Sequence, residues 1–250
     1  MAIVGTWWDP RILVGSCNIS GDSKKAELTY SADMLDGGVF GMHYKNNTSG
    51  LTSIGLSVGG LLPTSSPADV KEKQFFDSIA APCTIPVTVM PENTPVEGGR
   101  AYLFQGGEFA YQTFGPHGQL MPFNLQINNG ASGHNLIRGY VLEPGTAAKT
   151  VSGNGTGFVA GAITASQYLY ATLHVFGMSV PMTLDVTIES DNAADFVGCT
   201  TRATFTQVTD TFASQYLTRV AGPITDTYWR AKWVIAGTSY TFACAMGIAA

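Results

Sequence analysis

Charge is scarce in this chain of 250 residues: only 12% of them are charged, against about a quarter in a typical soluble domain. Thirteen Lys plus Arg and eighteen Asp plus Glu leave a net charge of −5, and no run of like charge exceeds Lys24-Lys25. The basic footprint of a nucleic-acid binder is therefore missing. With 45% apolar residues, the composition also differs from the charged, apolar-poor make-up of a disordered protein. No apolar stretch reaches the roughly 18 residues that a membrane helix needs, and the N-terminus lacks a basic segment followed by an apolar one. A folded chain with an uncharged surface is the expectation, and no membrane partner. Such a surface suits burial against other subunits, because interface cores are depleted in charge.

Catalytic and metal-binding signatures are absent too. Cys17, Cys83, Cys199 and Cys244 lie far apart, with no C-x-x-C and no His at ligand spacing, which excludes a zinc site of the usual kind. They read as small buried hydrophobes, and the lack of a signal peptide favours a reducing site of synthesis. His43 and His174 lie in strand-like runs, His117 in a Gly-Pro-His-Gly turn, and His134 after Gly-Ala-Ser-Gly. None accompanies a G-x-S-x-G elbow, so no nucleophile is signalled. The Gly-rich piece SGNGTG has no Lys-Ser or Lys-Thr and no following helix, so it is no phosphate cradle. The chain is expected not to be an enzyme: no catalytic, cofactor-binding or metal residue is assigned, and no cofactor.

What is present is a rhythm. Glycines and prolines punctuate short runs rich in Thr, Val, Ile, Phe and Tyr every eight to twelve residues, the signature of an all-β protein, mainly antiparallel β-sandwich, with one short α-helix. Strands are expected over residues 11–18, 25–31, 39–45, 52–59, 85–90, 101–113, 120–128 and 137–142. More follow over 158–163, 167–176, 182–189, 202–209, 215–220, 227–235 and 240–248. Alternation is clearest over 101–110 and 183–189, where Leu184, Val186 and Ile188 share a face. The helix is expected over 66–80, with Ser66 as cap, Pro67 in the first turn, and Asp69 and Glu72 at the positive end of the dipole. The Gly/Ser/Thr-rich segment before Gly157 marks a boundary between a β-domain of residues 1–145 and a C-terminal β-sandwich of residues 146–250.

Two clusters invite a functional reading. Asp185, Glu189, Asp191 and Asp195, in LDVTIESDNAADF, offer paired carboxylates or a calcium loop, but the Gly and terminal Glu of an EF-hand are missing. A strand followed by a turn at 190–194 accounts for them, since Asp, Asn and Ser bond local backbone. Trp7, Trp8, Tyr228, Trp229 and Trp233 could stack on sugars, yet Trp229 and Trp233 share a strand face with Ala231, as core residues do. Trp7 and Trp8, together with the aromatic hairpin around 101–123, are instead expected to contact neighbouring subunits.

The order of segments resembles a known family. The run RILVGSCNISGDSKKAELTYSADMLDGGVFG, followed by GLTSIGLSVGG, resembles the opening of phage tail tube proteins, siphophage major tail proteins among them. The matching residues are Ile12, Leu13, Val14, Gly15, Ile19, Ser20, Gly21, Asp33, Leu35, Asp36 and Gly50-Leu51. GGRAYLFQGGEFAYQTFGPHGQLMPFNLQI is similar to that family's long hairpin, and the C-terminal part to the β-sandwich that completes such proteins. The resemblance implies a tail-tube-like sandwich plus a second C-terminal β-sandwich. It implies a virion structural protein of the phage tail, assembled in the host cytoplasm into hexameric rings stacked as a tube. DNA passes through the lumen without specific binding, and the partners are further copies, tape measure, tail terminator and tail tip. A net negative subunit would line that lumen repulsively if its acids faced inward. A head decoration protein, or a receptor- or carbohydrate-binding β-sandwich of a virion, is the alternative.

Overall fold

The computed structural model describes the chain apart from residues 1–9, 41–43, 63–67, 80–81, 93, 114, 118–119, 131–134, 180–182 and 218. In chain order the strands are β1 (Arg11–Val14), β2 (Cys17–Asn18), β3 (Ser23–Asp36), β4 (Asn47–Leu61), β5 (Ile85–Met90), β6 (Arg100–Gln112), β7 (Pro122–Asn129) and β8 (Ile137–Glu143). Then come β9 (Gly153–Asn154), β10 (Phe158–Val159), β11 (Tyr168–Ser179), β12 (Thr183–Asp191) and β13 (Thr200–Thr204). The last are β14 (Val208–Thr209), β15 (Ala213–Tyr216), β16 (Val220–Ala221), β17 (Tyr228–Ala236) and β18 (Ser239–Ala249). Among the described residues there is one α-helix, α1 (Ala68–Ser78). The all-β reading with one short helix is borne out, and most strands fall within a few residues of their expected places.

The chain forms two compact units: Met1–Gly21 with Ile85–Gln105 and Ile137–Ala250, and Asp22–Thr84 with Gly106–Leu136. These bounds differ from the division at residue 145, because strands far apart in sequence pair: β8 lies beside β18 and β1 beside β5.

The first unit is a sandwich. One antiparallel sheet runs β15-β11-β18-β8 and on through the start of β6 to β5, β1 and β2; the other runs β10-β17-β12-β13. Period-two alternation aims Leu184, Val186 and Ile188 of β12 and Trp229, Ala231 and Trp233 of β17 at Phe242, Cys244 and Met246 of β18, all buried. Each such aliphatic side chain contributes about 1.5–3 kcal/mol. Gly15 makes the β1–β2 turn at φ 57°, a conformation that costs glycine little.

The second unit pairs β3 with β4, β4 with β7, and β7 with the end of β6. One sheet face carries Ile54, Leu56 and Val58 of β4 and Phe123, Leu125 and Ile127 of β7, all buried. Helix α1 sets Phe75 against this face, its ring 6.3 Å from that of Phe123 and 5.8 Å from that of Tyr111. The helix closes near Ser78, whose hydroxyl donates to the Gln74 carbonyl at 2.6 Å. The helical start proposed at Ser66 and Pro67 lies outside the described residues. A strand over 39–45 is not formed at its described positions. Instead Gly38 N–H bonds Asp36 Oδ1 (2.9 Å) and Gly37 N–H bonds the Asn46 carbonyl (2.7 Å), so an Asx turn begins the connection between β3 and β4.

Candidate assembly surface

The residues singled out for chemistry have structural tasks. His43 and His134 lie outside the described residues, and His117 is exposed in its turn. His174 is fully buried in the first unit. A carbonyl can only accept, so its Nδ1–H donates to Gly15 O (2.7 Å), which leaves Nε2 to accept from Thr88 Oγ1 (2.8 Å). Thr88 in turn shares a bond with Thr172 (2.7 Å). Burial lowers the imidazole pKa to about 4, against a smaller upward pull from Gly15. His174 is a neutral bracket between strands.

The acid cluster is dispersed. Glu189 is buried and pairs with Arg230 (2.7 Å) and Lys232 (3.1 Å). Burial pushes its carboxyl up, but these cations and the Cys199 thiol more than offset that and hold it below the usual range. Asp185 accepts from Gln207 on an exposed face. Asp191 and Asp195 accept the backbone N–H groups of Ala193 (3.1 Å) and Val197 (3.3 Å). The turn starts two residues later than expected, after Asp191, and within the strand Ser190 is buried and donates to Asp226 (2.6 Å), which Arg202 also holds (2.7 Å). Among the described residues no three of His, Cys, Asp and Glu stand close enough to share a metal ion. Chelation is accordingly expected to leave the melting midpoint unchanged; a drop restored by calcium would make the loop after β12 a binding site.

The two described tryptophans offer no exposed platform either. Trp229 is wholly buried, its Nε1–H donating to Gly161 O at 2.8 Å, and Trp233 donates to Val151 O at 3.0 Å beneath Lys149. None of the four cysteines is joined in a disulfide.

The surface that stands out lies in the second unit. Beyond Thr29, every residue of β3 is exposed, on both faces, and so is nearly all of its partner segment in β4 up to Ser53. This arm displays Tyr30, Met34, Leu35 and Leu51, with Phe40 and Tyr44 in the connection. A two-stranded ribbon with both faces in water is at best marginally stable on its own. The hairpin expected to carry the contacts, around 101–123, is less suited: Phe104 is buried in the first unit and Phe109 alone of its described aromatics is exposed. Trp7, Trp8 and Phe114 lie outside the described residues.

Nearer the base, the sheet face opposite α1 is polar and almost uncharged. Odd-numbered residues of β3 and β4 share it with Asn124, Gln126 and Asn128 of β7. Its only charges from Lys25 to Ser31 are Lys25 and Glu27, 3.9 Å apart. A depression of ≈ 210 Å³ is lined by Glu27, Thr29, Ser57, Gln126 and Asn128 around Gly55. A Cβ at Gly55 would come within 2.9 Å of Thr29 Oγ1 and displace that hydroxyl, which donates to the Gly55 carbonyl.

The fold and this surface describe an all-β chain built from a sandwich and an incompletely supported hairpin sheet. No protein-family model matches the chain, and no curated protein matches it. Among solved structures it is similar to the Dit protein of phage SPP1, described as a paradigm of the hub adsorption apparatus of phages infecting Gram-positive bacteria. There the identity is 11% and the TM-score 0.38, over 96% of this chain and 99% of that one. It is also similar to a chain of the native gene transfer agent virion, at 12% identity and TM-score 0.38 over 50% of this chain and 95% of that one. A third likeness is to a chain of the phage p2 baseplate in its activated conformation, at 8% identity and TM-score 0.36 over 92% of this chain and 98% of that one.

Proposed function

We propose that the chain is a structural protein of a phage tail, whose copies join through the hairpin sheet into stacked, hexameric rings around a channel for DNA. The observation that carries this reading is the unsupported outer half of the β3–β4 hairpin, which another copy would complete. The open edge of β3 suits strand addition between neighbours, where backbone hydrogen bonds give affinity and side chains give register. The low charge of the chain fits a protein that buries much of its surface in an assembly. The polar sheet face fits a channel wall that lets DNA slide, because affinity for DNA comes mainly from Lys and Arg on phosphates. That face is close to neutral and lacks the acidic lining expected from net charge. Tape measure, tail terminator and tail tip proteins are the further partners of this reading, and the virion tail its location after assembly in the host cytoplasm.

Negative-stain microscopy of the concentrated protein tests it. Rings or tubes with an open channel are expected. Met34→Asp combined with Leu51→Asp is expected to abolish them while shifting the melting free energy by only about 0.5 kcal/mol, since both side chains are exposed. A protein that stays monomeric or trimeric and binds glycans would overturn the reading in favour of a receptor-binding module.

A further inference from the structure

The open edge of β3 is complementary to itself. Among the described residues the 14-residue β3 is paired only with β4, so from Lys25 to Asp36 no described strand lies along its other side. Odd-numbered residues from Lys25 onward lie on the polar face, and even-numbered ones on the face of Leu56 and Ile54. Charge is segregated along the strand, with Lys24 and Lys25 at one end and Asp33 and Asp36 at the other. Antiparallel pairing with a second β3, Thr29 opposite Thr29, sets Lys25 against Asp33 twice and Glu27 against Ser31 twice. On the other face Leu28 meets Tyr30 twice, and Ala26 meets Ala32 twice. Opposite charges and aromatic–aliphatic pairs directly across a ladder stabilise it, and like charges there destabilise it. Moving the axis to Tyr30 would put Glu27 against Asp33 twice and Lys25 against Leu35, and its one attractive pair, Lys24 with Asp36, falls at the bulge beside Ser23 where the ladder is irregular. The first register is therefore the favoured one.

We propose that, before assembly, two copies of the chain form a two-fold dimer by antiparallel pairing of their β3 strands, with Thr29 on the axis. This rests on the reading of the hairpin sheet as the assembly element, and it names how that element is held in check. An isologous contact closes after two copies. It covers an edge that would otherwise recruit chains indiscriminately, and ring formation has to open it.

Sedimentation equilibrium of the intact chain at micromolar concentration tests the pairing. The wild type is expected to be a dimer. Lys25→Glu alone and Asp33→Lys alone each turn two attractive pairs into repulsive ones, and each is expected to weaken the dimer about tenfold or more. Both residues are exposed, so melting curves should match wild type and exclude misfolding. Mixing the two variants one to one is expected to restore the dimer, because K25E offers two acids and D33K two bases. A dimer indifferent to both substitutions and to mixing overturns the pairing. A wild type that is monomeric when dilute yet forms rings when concentrated overturns the dimer and leaves the assembly reading standing. A wild type that forms neither species at any concentration defeats both.

Discussion

Stability is expected to be nearly level between about pH 4.5 and 6.5, where two buried groups titrate in opposite senses, and to fall as the pH climbs from there toward 8. On the acid side the group is His174. Its folded pKa is lowered to about 4 from 6.5, so between those values the unfolded chain binds the proton and the folded chain does not. Its contribution to stability is then fully present above about pH 6.5 and is lost as the pH falls toward 4. The full shift corresponds to about 3 kcal/mol. Only the hydroxyls of Thr88 and Thr172 and the Gly15 carbonyl bond along this chain, and none carries a compensating negative charge. The depressed carboxylates of Glu189 and Asp226 add to this limb only at still lower pH.

On the alkaline side the group is Glu108, in the second unit. It is only 4% exposed, and among the described residues neither carboxylate oxygen has a hydrogen-bond partner. Burial raises its pKa to about 8 from 4.5, so here the folded chain holds the proton across the window. Its contribution to stability is present below about pH 4.5 and is lost as the pH climbs toward 8. The full shift would correspond to about 5 kcal/mol, and water screening of the charge brings the expected loss to about 3 kcal/mol. Thermal or urea melts across this range measure both limbs. Glu108→Gln is expected to remove the alkaline fall and to unmask the His174 limb, so that the variant loses stability as the pH falls from about 6.5 toward 4. Persistence of the alkaline limb in that variant would show that another group governs it.

Glu108 also shows where sequence stops being informative. Strict alternation over 101–110 sets Tyr102, Phe104 and Glu108 on one face and Phe109 on the other, without saying which face is core. The strand carries a bulge at Phe109: Glu108 stands opposite Ile127, and Ala110 opposite Gln126. Glu108 therefore shares the buried face of Ile127, the extra residue Phe109 is exposed, and Tyr111 returns to the face of Leu125. Nothing local in GGEFAYQ announces the slip, because bulges depend on the partner strand. The strands themselves were legible because their alternation is local. The division into units was not, since it depends on β6 passing from one to the other and on β8 joining β18. Likewise the alternation of TLDVTIES named the core face of β12, whereas the exposure of the β3–β4 arm follows only from what fails to pack against it. The polar clusters resolved as local chemistry suggested: Asp191 and Asp195 bond nearby backbone.

Replacing Trp229 by Ala is expected to lower the unfolding free energy of the sandwich by about 3–5 kcal/mol, the usual cost of emptying a large aromatic site in a core. The indole is wholly buried and packs among the residues that join the two sheets, including Val186, Ile188 and Phe205. Two terms add. Removing the rings leaves a volume that strands of two hydrogen-bonded sheets cannot close, because register fixes their backbones. The Gly161 carbonyl also loses the Nε1–H donor at 2.8 Å, and an unmet buried acceptor costs about 1–3 kcal/mol. Trp229→Phe keeps most of the volume but still loses that donor, so it separates the terms and should cost about half as much. Against a total of about 5–15 kcal/mol for a folded domain, the alanine variant loses a third or more of its margin. Tyr228, the neighbour whose side chain points to the other face, is only partly buried, and Tyr228→Ala serves as the control with a much smaller loss. Urea unfolding followed by far-ultraviolet circular dichroism measures all three without relying on the missing fluorophore. The outcome bears on function as well as stability. A tryptophan that stacked on sugars could be removed with little change in stability and a loss of glycan binding. If Trp229→Ala unfolds like wild type, the ring is not the core residue its burial and hydrogen bond indicate, and a ligand platform on β17 becomes the better account.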